Sequence, residues 1–416
     1  MINKNKIWIF FVGALILVPY VETASFKRYD IIINENSHLP AICIVLMVMS
    51  LLVTCLTRKL TPIVFYIKQQ RLTLLIVFLE VQFVFSTIYY GEINILPFWF
   101  IIPIYVALTV LRFIDTKQLP IKSIARSVTF IYALYLLICI SWNVLFLGFK
   151  ISSGTYSYRL YSTGGGTLTL AYMAVIFAFF VYLKKEWFSN TERNLLLLLY
   201  TVIALVTASR LSFWMIICLA SLILLKDKRS VQKVIILLSV AVALIVADPI
   251  KIIYSYAPRL MNLNVSESER FVTWGNAVSI FNDGNIIQML FGRGFGHFFP
   301  YQHWLKNYDL ANRYSKTFNL FSYNGKLLLV QPHNITIYFL LEGGLVGTLL
   351  LVLYWIRIFI KSSKMKNLRE MLFLIAVVVV NQYDSLLIVQ PGAAFIVWLL
   401  VFISSENQKC SGEINE

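Results

Sequence analysis

Charged side chains are scarce in this chain. Asp, Glu, Lys and Arg make up 13% of its 416 residues, whereas 59% of the residues are hydrophobic. A soluble domain of this length needs far more charge to cover its surface, so the composition favours a protein with many membrane spans. The net charge of +16 would suggest nucleic-acid binding in a soluble protein. Here the basic residues stand at the ends of apolar runs, where membrane topology explains them.

Cysteine is also rare. None of the five cysteines has the spacing of metal ligands, and the hydrophilic segment 251–333 contains none. Neither a disulfide framework nor a metal site is predicted, and we expect no cofactor. The cysteines are interpreted as small buried hydrophobes. They are Cys43, Cys55, Cys139, Cys218 and Cys410.

Apolar runs long enough to cross a bilayer recur along the whole chain. They predict an all-α integral membrane protein with about twelve transmembrane helices and one large periplasmic loop that contains short helices. The first run lacks a clear small-x-small cleavage site after it, so we interpret it as an uncleaved span. The predicted spans are 7–22, 39–57, 71–90, 93–111, 127–148, 167–183, 194–209, 211–226, 233–250, 334–360, 370–386 and 388–404.

The distribution of Lys and Arg predicts the orientation of these spans. Basic residues are concentrated in every second loop, as at Lys184 and Lys185, and these loops are therefore placed in the cytoplasm together with both termini. All four histidines then face the outer side: His38, His297, His303 and His333.

The same topology divides the chain into four parts. They are an N-terminal transmembrane bundle (1–250), a large periplasmic loop (251–333), C-terminal spans (334–404) and a cytoplasmic tail (405–416).

The periplasmic loop is too long to be a simple connection between two spans. Ser266 and Glu269 have the spacing of a capping box, and Gly284 follows as a stop signal, which predicts a helix between them. Arg270 lies in its first turn. We expect this helix to lie on the bilayer surface with one apolar face down. That face comprises Phe271, Trp274, Val278 and Phe281.

Three glycines and an arginine follow in the segment Phe291–His297, which reads Phe-Gly-Arg-Gly-Phe-Gly-His. The spacing is not the dinucleotide fingerprint and no βαβ pattern surrounds it, so a nucleotide-binding loop is not predicted. Two interpretations stay open. One is a tight turn in which the backbone and Arg293 approach a ligand, and the other is a plain surface turn.

The loop ends at Gln331-Pro332-His333-Asn334, where the next span begins. Proline suits the first position of a helix, so His333 is expected in the first helical turn. There the helix dipole disfavours the imidazolium ion, and a neutral imidazole is able to accept a proton. The structural alternative is a histidine that only caps a membrane helix at the interface.

Three segments together resemble the O-antigen polymerase and O-antigen ligase superfamily of bacterial surface-polysaccharide assembly, over roughly residues 150–400. The first is Thr207-Ala208-Ser209-Arg210, in a tight hairpin between two spans. The second runs from Glu269-Arg270 through Trp274 to the glycine-rich segment. The third and most specific is Pro332-His333-Asn334, followed after nine residues by Gly344-x-x-Gly347-Thr348. Trp214 stands where ligases often have leucine, which leaves polymerase or ligase open.

The resemblance implies an inner-membrane enzyme that moves a glycan from undecaprenyl diphosphate onto a sugar hydroxyl at the periplasmic face. Its leaving group is a lipid diphosphate, whose charge arginines can hold bidentately, and its acceptor hydroxyl needs a positioned base. We therefore expect Arg210, Arg270 and Arg293 to clamp the diphosphate and His333 to take the acceptor proton. Asn334 is expected to bind substrate.

Acidic residues within predicted spans are costly and often functional. Asp384, in the last outer hairpin, is expected to contact substrate and to steady an arginine or the base. Glu342 and Glu80 either contribute to function or form hydrogen bonds between helices.

The favoured function is an O-antigen or capsular polymerase that extends a lipid-linked repeat unit. Its expected partners are the undecaprenyl-diphosphate-linked oligosaccharide, the bilayer and a protein that regulates chain length, with no nucleic acid. A ligase that delivers the polymer to lipid A-core is the main alternative. A flippase for lipid-linked glycan is disfavoured because no internal repeat of spans is evident. A glycosyltransferase with a cytoplasmic donor is disfavoured because no loop carries an Asp-x-Asp pair.

Overall fold

The computed structural model describes residues 8–9, 72–90, 96–116, 118–147, 167–207, 209–225, 269–294, 320–323, 326–329, 333–364, 368–384, 386–389 and 391–406. These residues are almost entirely helical, which confirms the predicted helical class for this part of the chain. They divide into two compact units. Unit 1 holds residues 8–9 and the described residues between Leu119 and Leu263, and unit 2 holds those between Ile44 and Gln118 and from Asn264 onward.

The helices are numbered in chain order through the described segments. They are α1 Thr73–Tyr90, α2 Leu96–Thr116, α3 Ile121–Trp142, α4 Thr167–Leu183, α5 Asn190–Val206, α6 Arg210–Leu225, α7 Glu269–Asn282, α8 Ile286–Phe291, α9 Ile335–Lys364, α10 Leu368–Asp384, α11 Leu386–Val389 and α12 Pro391–Glu406. A π-helical turn, Asn143–Leu147, continues α3, and a 3₁₀ turn, Lys185–Trp187, follows α4.

Unit 1 is organised around α4, which packs against α5 and α6. Every α4 residue from Leu170 to Val181 is buried. A helix that is apolar on all sides needs such an enclosed position. Aromatic stacking joins it to its neighbours: the Phe177 ring lies 4.3 Å from that of Tyr132 on α3 and 5.7 Å from that of Tyr200 on α5. The Tyr200 hydroxyl donates to the carbonyl of Thr129 at 2.9 Å, which satisfies a buried polar group.

The start of α5 is defined by a capping box. The Ser189 hydroxyl accepts from the N–H of Glu192, and the Glu192 carboxylate accepts from the N–H of Ser189. The same carboxylate pairs with Arg126 of α3 at 2.5 Å. The backbone N–H of Ser189, with help from Arg126, lowers the pKa of Glu192 below its ordinary value of 4.5. These contacts join the first turns of α3 and α5.

Unit 2 contains α1, α2 and α7–α12, with α9 in contact with α1, α7, α8 and α10. Helices α2 and α12 pack along each other. Trp398 of α12 is the centre of an aromatic cluster that also contains residues of α2 and α9. The Trp398 ring lies 6.1 Å from that of Phe100, 5.6 Å from that of Tyr354 and 6.0 Å from that of Trp355. Such pairs contribute about 0.5–1.5 kcal/mol each beyond the burial of area.

Helix α9 is not continuous. Gly344 has φ 66° and ψ −169°, so two helical segments meet there at a kink. The predicted span 334–360 is therefore confirmed as helical, but its first turns and its remainder are separated by a residue outside the helical region.

A short antiparallel hairpin lies in the predicted periplasmic loop. Strand β1, Leu320–Tyr323, pairs with β2, Lys326–Leu329. These strands were not predicted from the sequence, and they are an exception to the all-α expectation. At four residues each they are too short for the periodicity of a strand to be recognised among the many apolar residues.

Two helices of the described part are long and apolar enough to cross a membrane, Ile121–Leu145 and Ile335–Ser363. Shorter apolar helical segments are Thr73–Gln82, Leu168–Leu183, Leu211–Ile223 and Ala393–Ser404. The predicted spans 39–57 and 233–250 lie outside the described residues, as does almost all of 7–22. Every other predicted span coincides with a helix, while the number of spans and their orientation stay predictions.

The exposed face of α1 supports a lipid environment. Its large apolar side chains at helical spacing are between 48% and 77% exposed. A continuous apolar stripe of this kind is typical of a surface that contacts membrane or another protein. The stripe consists of Leu74, Val77, Val81, Val84 and Ile88.

Packing and predicted topology divide the chain differently. The topological division placed 1–250 in one bundle, whereas α1 and α2 pack within the unit that also contains the C-terminal helices. Hydropathy marks where a span begins and ends, but it carries no information about which spans are neighbours.

Candidate functional site

The glycine turn, Gly292–Gly294, is seated on α9 by two backbone hydrogen bonds. The N–H of Arg293 donates to the carbonyl of Leu341, and the N–H of the next residue donates to the carbonyl of Glu342, both at 3.0 Å. Because Gly344 interrupts the helical ladder, the carbonyls just before it resemble those at a helix end, which need donors from elsewhere. The glycine turn supplies them.

Gly292 and Gly344 make this contact sterically feasible. A Cβ on Gly292 would overlap the carbonyl group of Glu342, and a Cβ on Gly344 would overlap the backbone of Leu290 and Gly292. Their φ angles are also positive, at 82° and 66°, a region that glycine adopts without strain. Both positions therefore require glycine for two independent reasons.

The second glycine of the Gly-x-x-Gly motif packs elsewhere. A Cβ on Gly347 would lie 2.6 Å from Cε1 of Phe78, so its absence allows α9 to approach α1. Thr348, the next residue, donates its hydroxyl to the carbonyl of Gly344 at 2.8 Å. The motif thus combines a kink, a close helix crossing and a donor for a carbonyl at the kink.

The side chain of Arg293 points into the protein. It is 8% exposed, and its Nη2 donates to the carbonyl of Ile280 at 2.9 Å. Ile280 lies in the last turn of α7, where carbonyls lack helical donors and a cation is favoured by the helix dipole. Arg293 therefore contacts α9 through its backbone and α7 through its guanidinium group.

Helix α8 is fixed at both ends. Asn285 caps it in a box with Gln288, and at its C-terminus the carbonyl of Phe291 accepts from Nε2 of Gln82 on α1. The rings of Phe291 and Phe85 lie 6.5 Å apart. Gln82 was not singled out from the sequence, although a buried amide within an apolar helix was a signal for such a contact.

His333 does not lie in the first turn of α9, which corrects the prediction. The helix begins at Ile335, and Asn334 is its N-cap: its Oδ1 accepts from the N–H of Ile337 at 3.0 Å. Asparagine is favoured at the N-cap because its side chain satisfies an N–H of the first turn that would otherwise lack a partner. His333 precedes the cap and has φ 49°, an unusual backbone conformation for a non-glycine residue.

Helix α7 spans Glu269–Asn282 and ends just before Gly284, as predicted. The predicted cap, Ser266, lies outside the described residues. Ala277 and Ile280 are buried within unit 2, whereas Val278, on the predicted bilayer-facing side, is 41% exposed. Contact of that side with lipid stays a prediction.

Trp274 links α7 to the end of α10. Its ring lies 6.1 Å from that of Tyr383 in an edge-on arrangement. Arg270 is in the first turn of α7, one turn before Trp274, and Asp384 ends α10 next to Tyr383. The ends of the helices that carry these two predicted site residues are therefore close together, although the two side chains lie outside the described part.

Asn381 shapes the connection after α10. Its Nδ2 donates to the carbonyl of Val377 at 2.8 Å, and its Oδ1 accepts from the N–H of Leu387 at 3.0 Å. It is buried, so the amide stabilises a turn that lacks water to satisfy it. This contact was not predicted from the sequence.

Arg210 belongs to unit 1, where it is the first residue of α6. The preceding Thr207 caps α5 with its hydroxyl bonded to the carbonyl of Ala204 at 3.0 Å. The predicted tight hairpin is confirmed, and Arg210 lies at a helix start. The side chain of Arg210 lies outside the described part of the chain. The same is true of three of the four histidines: His38, His297 and His303.

Glu342 is fully buried directly before the kink, and its backbone carbonyl accepts from the glycine turn. Within the described segments no cluster of three His, Cys, Asp or Glu side chains could hold a metal ion. The candidate site of unit 2 therefore consists of cationic, amide and imidazole groups carried by α7, the glycine turn and the start of α9.

Comparison with known proteins assigns these segments to a family. Residues 195–352 match the family model described as O-antigen ligase. The matched range runs from α5 to the second half of α9, so it includes Arg210, Arg270, the glycine turn and the His-Asn to Gly-x-x-Gly motif. A search of curated proteins found no match. The resemblance seen in the motifs to the O-antigen polymerase and O-antigen ligase superfamily is thus confirmed over residues 195–352.

Proposed function

We propose that this protein is a polymerase of an O-antigen or a related surface polysaccharide. It transfers a growing glycan from undecaprenyl diphosphate onto a lipid-linked repeat unit at the periplasmic face of the inner membrane. The observation that carries the proposal is that the glycine turn joins two helices of unit 2: α7, which carries Arg270, and α9, which begins just after His333. These segments belong to the domain of a superfamily that acts on lipid-linked glycans.

The chemistry requires a base and a cationic site for the leaving group. The acceptor hydroxyl oxygen attacks the anomeric carbon of the donor glycan, and the bond from that carbon to the diphosphate oxygen breaks. His333 takes the hydroxyl proton, undecaprenyl diphosphate leaves with its electron pair, and the anomeric centre inverts. Arg270 stabilises the negative charge that develops on the diphosphate.

The backbone around His333 supports its role as the base. A non-glycine residue with φ near 49° is held there at a cost on the order of 1–3 kcal/mol, and such strain is concentrated at functional sites.

The remaining predicted residues have supporting roles. Asn334 caps α9 and so holds the backbone next to His333 in place. Asp384 ends the helix whose Tyr383 packs on Trp274, and it steadies Arg270. For Arg210 the diphosphate-binding role rests on the family motif alone. A protein that regulates chain length is the expected partner.

Gel analysis of lipopolysaccharide tests the function. A deletion strain complemented with His333→Ala or Arg270→Ala should lack long-chain polysaccharide while the protein is present at its normal level. Arg193→Ala is the matched control, because Arg193 lies at the start of α5 on the predicted cytoplasmic side and should leave chain length unchanged. Normal chains in the His333→Ala strain would refute the proposed mechanism.

The same gel separates the polymerase from the ligase. A strain without a polymerase keeps the core with one repeat unit, whereas a strain without a ligase has bare core and accumulates lipid-linked polymer. We expect the first pattern. Bare core in the deletion strain would show that the ligase is the correct member of the superfamily.

A further inference from the structure

One residue of unit 2, Arg293, joins α7 to α9. The backbone N–H of Arg293 donates to Leu341 of α9 at 3.0 Å, and its Nη2 donates to Ile280 of α7 at 2.9 Å. Helix α7 carries Arg270 in its first turn, and α9 begins two residues after His333. Arg293 is thus in direct contact with both supports of the site.

We propose that Arg293 is a positioning residue, which fixes the helix of Arg270 on the helix that follows His333, and that the lipid diphosphate is bound without it. The inference rests on the proposed function and changes one part of it, because the family resemblance implied that Arg293 clamps the diphosphate. A positioning residue acts through other groups and does not touch the reacting atoms.

The burial of the Arg293 side chain argues against a clamp. At 8% exposure little of the side chain is available to a diphosphate that approaches from the bilayer. One guanidinium nitrogen is already bonded to a backbone carbonyl of α7, and a cation at the C-terminal end of that helix is stabilised where it stands. A phosphate at this position would have to displace that bond.

The backbone contacts of the glycine turn argue for rigid support. Gly292 and Gly344 are in contact without side chains between them, an approach that a Cβ on either residue would prevent. Arg293 adds the third contact, to α7. Catalytic groups need to be held to within a fraction of an ångström of the productive geometry, and rigid elements with buried supporting bonds provide that precision.

The first measurement tests the geometry without requiring activity. In a chain whose native cysteines are replaced, spin labels at Val278 of α7 and Leu349 of α9 report the distance between the two helices. Both positions are exposed, at 41% and 57%. The distance distribution should broaden or shift in Arg293→Met, which keeps the length but has no donor. It should stay nearer to the native distribution in Arg293→Gln, whose amide is able to donate to the same carbonyl.

Gly275→Ala is the matched control for that measurement. Gly275 lies on α7, and an added Cβ there would meet no atom within 4 Å. Its label distance should equal that of the unaltered chain. An unchanged distribution in Arg293→Met would overturn the proposal.

The second measurement separates positioning from binding. The probe is undecaprenyl diphosphate, added to purified protein in nanodiscs of phosphatidylethanolamine and phosphatidylglycerol. In Arg293→Met the affinity should stay within about threefold of the native value while the turnover number falls about tenfold or more, because the transition-state geometry is lost and the charge that binds the donor is retained. Arg293→Gln should recover part of the turnover.

The two proposals fail in different ways. An affinity that falls about tenfold in both Arg293 variants, with unchanged label distances, would show that Arg293 is a diphosphate ligand. If the unaltered protein neither binds undecaprenyl diphosphate nor extends a lipid-linked glycan, the proposed function fails. A broadened distance in Arg293→Met would in that case still support the positioning role.

Discussion

Gly292 and Gly344 lie in direct backbone contact across the glycine turn and the kink of α9. A Cβ on Gly344 would overlap the N–H of Gly292, and a Cβ on Gly292 would overlap Glu342, two residues before Gly344. The two glycine-containing motifs of the sequence are therefore two halves of one contact. The kink of α9 therefore lies where the glycine turn contacts that helix.

Gly344→Ala should destabilise the protein and shorten or abolish the polysaccharide. The methyl group meets backbone atoms that cannot move aside, and φ is positive, so a cost of at least about 1–3 kcal/mol is expected. Thermal unfolding of the purified protein in detergent measures it. Gly275→Ala is the control and should be neutral or slightly stabilising, since alanine favours the helix by roughly 0.5–1 kcal/mol. Equal melting temperatures for the two variants would contradict the contact.

Asn334→Ala should lower stability by about 1 kcal/mol, because the N–H of Ile337 loses its acceptor. Asn334→Ser and Asn334→Asp provide a cap by different chemistry and should restore both melting temperature and chain length. The comparison separates the two roles of Asn334. Activity that is lost in all three variants while the serine and aspartate forms melt normally would indicate a direct contact with substrate.

Gly347→Ala should loosen the packing of α9 on α1, because its Cβ would lie 2.6 Å from the ring of Phe78. Overpacking of this kind typically costs about 1–3 kcal/mol. Phe78→Leu in the same chain removes the ring and should recover part of the loss. The measurement is a double-mutant cycle of unfolding free energies. Strictly additive effects would show that the two residues do not touch.

The capping box of α5 should make stability depend on pH below 4.5. The pKa of Glu192 is lowered in the folded state, chiefly by the N–H of Ser189. Its stabilising contribution is therefore fully present above the ordinary value of 4.5 and is lost as the pH falls through the lower, folded-state value. The melting temperatures of the native chain and of Glu192→Gln should differ at neutral pH and converge under acid conditions. A difference that does not change with pH would contradict this role.

Cysteine labelling should test the predicted orientation. In a cysteine-replaced chain, Asp283→Cys and Glu186→Cys both provide exposed sites. A membrane-impermeant maleimide should label residue 283 in intact spheroplasts and residue 186 only after permeabilisation, because Lys184 and Lys185 flank a predicted cytoplasmic loop. Labelling with the reverse pattern would place the candidate site in the cytoplasm and exclude the proposed donor.

Local patterns in the sequence were sufficient to predict the positions of the helices and several of their ends. Helix α4 occupies the predicted range 167–183, and α7 ends just before Gly284, as that stop signal indicated. Such signals depend on side chains within one or two turns, so they can be identified without knowledge of the neighbours. The start of α9 was misplaced because proline and asparagine are both favoured near a helix start, and only the hydrogen bond of Asn334 distinguishes the cap.

The sequence by itself determined the helical class, the motif residues and the superfamily, because hydropathy and motif spacing are properties of the chain. Tertiary structure alone decided what those residues contact. That Arg293 turns inward to α7, that Gly292 meets Gly344 and that Gln82 holds Phe291 depend on segments brought together from distant parts of the chain. Contacts of this kind arise from close packing and from the need of buried carbonyls for donors, and neither leaves a periodic trace in the sequence.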